Sequence, residues 1–155
     1  MDQAASLRQW ATERGSARPA NRPVQALKTC DLMVLGLPGT SRKHAEAASE
    51  RLQSWAEAGH QWLGDPRRWR CVPVSTDDPR LHQLALDQAR WALWVDADLG
   101  AFERGYHTLR ELAARGGPGR LLAFHAVGVP RKGLLSNLQS VASTNFGLEL
   151  LVLTR

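Results

Sequence analysis

A chain of 155 residues with 43% apolar content and six tryptophans is long enough for one domain with a real core and too apolar for a disordered polymer. It holds no apolar run near the ~20 residues of a membrane span and no basic-then-apolar secretory leader, so a cytoplasmic protein without a membrane span is expected. The net charge of +5 rests mostly on arginine, only Lys28, Lys43 and Lys132 being lysines, and its scatter argues for a solvated surface and against a nucleic-acid face.

From the N-terminus, Asp2 to about Arg14 predicts a helix. Ala4, Leu7, Trp10 and Ala11 recur at helical spacing, and Asp2 can cap the first turn. Gly15, Pro19 and Pro23 end it, so residues 1–14 read as a helix, 15–26 as a flexible linker and 27–155 as the folded domain. A helix so separated reads as one held out for a partner; the plainer reading docks Leu7 and Trp10 on the protein's own sheet.

Apolar runs then alternate with helical periods. Strands are predicted within Asp31–Gly39, Arg70–Ser75, Arg90–Asp96, Arg120–Val129 and Leu148–Leu153, with Pro73 marking an edge strand. Helices are predicted over Arg42 to about Ala58, Pro79 to about Gln88, from near Ala101 to Gly116, and through Leu138, Val141 and Ala142. Strands without alternation are buried on both faces, and intervening helices make crossovers. The expected fold is a doubly wound, mostly parallel α/β sheet of about five strands.

The chemical motifs are sparse. Cys30 and Cys71 form no CxxC pair and read as two buried thiols. The turn Gly36–His44 follows a strand, but a P-loop needs lysine directly after its second glycine, and Gly39 is followed by Thr40 and Ser41. A residual anion site at Gly39, Thr40 and Ser41 competes with an ordinary strand-to-helix turn. Asp96 and Asp98 stand where Mg²⁺ ligands often sit, although Asp98 can equally cap the following helix. The five histidines lack metal spacing, His125 reads as a core residue, and Ser75 and Ser136 lack a nucleophile elbow. No metal, cofactor or catalytic group acting within the chain is expected.

The segment DQAASLR, Asp2–Arg8, matches the N-terminal DQAxxLR signature of the MinD-like flagellar-number regulators known as FlhG or FleN, and the chain resembles that family. Cys30–Ser41, Ala92–Leu112 and Leu134–Leu153 are similar to its strand-and-helix segments. The family's glycine- and lysine-rich Walker A loop has no counterpart between Arg14 and Asp31, so the chain looks like a shortened, degenerate MinD-like member, and the resemblance implies no ATPase machinery. The resemblance implies that the helix activates FlhF, a signal-recognition-particle-type GTPase. Gln3 would act in trans at the phosphate region, with Asp2, Ala4, Leu7 and Arg8 binding the partner.

The expected function is thus a non-enzymatic regulator of flagellar number or placement, recruited by its partner to the cell pole or membrane. Flagellar switch components or a transcription regulator are further candidate partners. The alternatives are a nucleotide- or phosphate-binding enzyme using Gly36–Ser41 with Asp96 and Asp98, and a scaffold whose N-terminal helix is incidental.

Overall fold

The apolar runs become the strands of one sheet in the computed structural model, which describes Leu7, Trp10 and residues 29–59, 65–127 and 129–152. The strands are β1 (Cys30–Leu35), β2 (Trp69–Val74), β3 (Trp91–Val95), β4 (Arg120–His125) and β5 (Glu149–Leu151). All pair in parallel, in the order β2-β1-β3-β4-β5. Helices α1 (Arg42–Glu57), α2 (Leu81–Asp87), α3 (Ala101–Arg115) and α4 (Ser136–Phe146) connect them. The fold is the parallel α/β architecture expected from the sequence. Pro73 does lie on the edge strand β2, where its missing N–H costs no ladder bond.

Burial on both faces explains why the strands lack alternation. Successive residues of β3 point to opposite sides: Trp91, Leu93 and Val95 into one apolar cluster, Ala92 and Trp94 into the other. The first cluster is closed by Leu81 of α2, Leu109 and Leu112 of α3, and Leu138 and Ala142 of α4. The opposite face is closed by Ala48, Leu52 and Trp55 of α1 together with Leu7 and Trp10. Both N-terminal residues are helical and buried, and the Trp10 ring stacks on Trp69 at 5.8 Å and 10°. Here the structure departs from a helix held away from the body. A tryptophan carries too much apolar surface to leave in water when a flat aromatic partner is within reach.

Several boundaries also move. Strand β4 ends at His125, four residues short of the expected Val129, because its neighbour β3 pairs only as far as Val95↔His125. Helix α3 stops where Gly116 adopts φ +73°, a left-handed cap open to glycine at little cost. The His82 ring donates from Nδ1 to the Gly116 carbonyl at 3.0 Å, so a Cβ there would also collide with that ring. The sheet edges are pinned by ion pairs between register partners: Arg70 forks onto Asp31 at 2.9 and 3.0 Å, and Arg120 reaches Glu149 at 3.0 Å.

The two cysteines are free and differ in exposure, which corrects the expectation of two buried thiols. Cys71 is buried in β2, whereas Cys30, at the start of β1, is partly exposed. Burial pushes the Cys71 thiol up from 9.0 to about 11, against a smaller opposing hydrogen bond from Ser49. The folded value lies above the unfolded one, so this thiol's stabilising contribution is complete below pH ~9 and is lost as pH rises toward ~11. Urea midpoints measured across that range are expected to fall less in Cys71→Ala than in the parent. Iodoacetamide at pH 8 is expected to label Cys30 well before Cys71.

Candidate functional site

Parallel strands put all their C-terminal ends at one edge of the sheet. The chain runs outward from β1 to β2 and then crosses back to β3, so the crevice between the ends of β1 and β3 is the switch point where such sheets take ligands. The topology brings together there two of the stretches singled out in the sequence, Gly36–Ser41 after β1 and Asp96–Gly100 after β3.

Gly36 turns the chain with φ +90° against the neighbouring strand; a Cβ would lie 3.2 Å from the Trp94 carbonyl oxygen. Ser41 then starts α1, and its donors are already engaged. The Ser41 backbone N–H donates to Nδ1 of His44 at 3.3 Å, and the Ser41 hydroxyl stands 2.8 Å from the same nitrogen. Histidine here fills the reciprocal role that Glu or Gln has in a capping box. Gly39 packs against that ring too closely for any Cβ. Of the residual-anion trio, Gly39 and Ser41 therefore serve the helix start, while Thr40 is exposed. Lys43, the lysine nearest this turn, is exposed on α1.

Arg51 dominates the other half of the crevice. It projects from α1 across the sheet edge, with its side chain only 13% exposed. One nitrogen, Nη1, donates to the Phe124 carbonyl at 2.8 Å and the Val95 carbonyl at 3.2 Å, tying the ends of β4 and β3 together. Its guanidinium lies 3.5 Å from the centre of the Trp94 ring, and Nη2 is 3.6 Å from Asp96. Burial holds this guanidinium below its ordinary value, and the Asp96 carboxylate opposes that shift. One turn along α1, Trp55 donates from Nε1 to the His125 carbonyl at 2.8 Å.

Asp96 and Asp98 are met by arginines. Arg104 of α3 holds both Asp98 oxygens at 2.8 and 2.9 Å and lies 3.9 Å from Asp96. Asp98 also accepts from the Gly100 N–H at 3.0 Å, a turn ahead of α3; the N-cap of that helix is Gly100 and no side chain caps it, so Asp98 is not the helix cap the sequence suggested. Among the described residues of the crevice, two carboxylates face two guanidiniums, Asp98 held closely by Arg104 and Asp96 more loosely by Arg51 and Arg104. Among the described residues no group of three or more His, Cys, Asp or Glu is arranged to hold a metal ion. His125 is buried as a core histidine, its Nδ1 donating to the Ala126 carbonyl at 2.8 Å.

Asp2, Gln3, Ala4 and Arg8 lie outside the described residues; Leu7, the remaining member of that set, is buried against the body. Sequence reasoning passed over Arg51, although a signal existed. Ala48, Arg51, Leu52 and Trp55 follow the i, i+3, i+4, i+7 spacing of a buried stripe. The same end of the sheet displays exposed apolar side chains: Leu99, Phe102 and Val127. No described helix is long and apolar enough to cross a membrane.

Fold and site together define a doubly wound parallel α/β domain whose switch-point edge is lined by its own paired charged side chains. No family model matches the chain, and comparison with curated proteins finds no match either.

Proposed function

We propose that this chain is a non-enzymatic regulator that binds a signal-recognition-particle-type GTPase of the FlhF kind and stimulates it through Asp2–Arg8. The observation carrying this reading is the DQAASLR motif, the one segment with a specific functional pattern. The crevice supports it by elimination: Arg51 and Arg104 already satisfy Asp96 and Asp98, and the Ser41 N–H is given to His44. Chemistry of the chain's own would need groups that are otherwise committed. Supplying a positioning group to another protein needs only the motif, because phosphoryl transfer gains chiefly from positioning and electrostatics.

The test is GTP turnover by an FlhF-type GTPase with and without the chain, alongside Gln3→Ala. Stimulation of about tenfold or more is expected, falling to the basal rate in the variant. Absence of stimulation by the intact chain would overturn the reading in favour of a scaffold, for which Leu99, Phe102 and Val127 offer an exposed apolar edge.

A further inference from the structure

We infer that His44 makes the turn into α1 a proton-sensitive switch: the neutral imidazole ties Ser41 to the start of the helix, and protonation releases it. The switch needs only this chain and stands apart from the function proposed above. The Ser41 backbone N–H donates to Nδ1 of His44 at 3.3 Å, and the Ser41 hydroxyl stands 2.8 Å from the same nitrogen. An N–H can only donate, so Nδ1 is the acceptor and the neutral ring carries its proton on Nε2. A protonated imidazole has a donor at each nitrogen and no acceptor. The hydroxyl can turn and accept, but the backbone N–H then faces a second donor.

The surroundings also disfavour the charged ring. Arg42 and Lys43 precede His44 in the first turn of α1, which holds no acidic residue. That turn is the positive end of the helix dipole, so a third cation there is repelled. Nor can the ring slide toward the turn, because it already fills the space beside Gly39: a Cβ on Gly39 would lie 2.7 Å from its Cε1 and 3.1 Å from Nδ1. Glutamate or glutamine, the usual residue at this capping position, keeps an acceptor from about pH 5 to 8; histidine loses its acceptor within that range.

The charged groups of the neighbouring elements are paired elsewhere. On α1 itself Glu46 stands 3.6 Å from Arg42. After β2, Asp78 is 3.1 Å from Arg80 and Asp77 is 3.9 Å from Arg115. After β3, Asp96 and Asp98 are met by Arg51 and Arg104. Among the described residues none of these carboxylates forms an ion pair with His44, so none holds the imidazolium in place.

The test is a series of proton–nitrogen correlation spectra of the full chain from about pH 8 to about pH 5, read beside the His44 ring signals. The Ser41 amide is expected to shift along the curve of the His44 ring, which separates it from the other histidines. Its protection against exchange, corrected for the intrinsic rate, is expected to fall about three- to tenfold, the change in equilibrium that loss of such a hydrogen bond brings. His44→Gln and His44→Glu keep an acceptor that does not disappear over this range, and in both the Ser41 amide is expected to hold its position and its protection. A Ser41 amide that stays in place in the parent while the His44 ring titrates overturns the switch without any variant. A Ser41 amide that titrates as strongly in the two variants also overturns it, since the proton is then taken up elsewhere.

Discussion

Trp55→Ala is expected to lower unfolding stability by about 3–5 kcal/mol, a large share of what a domain of this size possesses. Trp55 is fully buried, meets Phe124 edge-on at 5.0 Å and 87°, and donates to the His125 carbonyl at 2.8 Å. Alanine removes the packing, leaves a cavity between α1 and β4, and strips that carbonyl of its indole donor. Urea denaturation is expected to show a midpoint lower by roughly 2 M at unchanged slope. Trp55→Phe separates the contributions: it keeps most of the volume and should cost closer to the ~1–2 kcal/mol of a lost buried hydrogen bond with some repacking. An alanine variant within about 0.5 kcal/mol of the parent would refute the view that α1 is held by this residue.

The second large effect is expected at Arg51. Arg51→Ala uncovers the Trp94 ring and removes the donor shared by the Val95 and Phe124 carbonyls, for a cost of about 2–3 kcal/mol. Arg51→Lys should recover only part of this, because a single ammonium cannot lie flat on the indole and reach both strand ends. Asp96→Asn should cost less than ~1 kcal/mol, since Asp96 is 40% exposed and its distance to Arg51 is 3.6 Å. That ranking is the test. If Asp96→Asn matched Arg51→Ala, the ion pair rather than the carbonyl bridge would hold the edge. Arg51 and Trp55 stand one turn apart on α1, so their double variant is expected to deviate from additivity.

The sheet was legible in the sequence because burial on both faces leaves an unbroken apolar run, as in Leu32–Leu35 and Leu121–Phe124. The edge position of β2 was legible through one proline. Strand ends were less so: β4 stops where β3 stops, and nothing within Arg120–Val129 encodes its neighbour's length. In the crevice, Gly36–Ser41 and Asp96–Asp98 announced themselves by residue type, but their partners did not. His44 takes a role usually given to an acid, and Arg51 is drawn inward by carbonyls 44 and 73 residues further along the chain. The N-terminal segment is the instructive case. Its motif pointed to a partner and its Leu7–Trp10 pair to a docking face, and both signals overlap at Leu7.

Burying Trp10 against Trp69 also has a consequence in time. Trp10 is synthesised about sixty residues ahead of the platform that receives it, which at roughly 5–20 residues per second is an interval of about 3–12 seconds. Throughout that interval the resting place of Trp10 on β2 has yet to be made. The nascent chain passes through a period in which Trp10 has no Trp69 ring to stack on, and only completion of β2 beside β1 ends it.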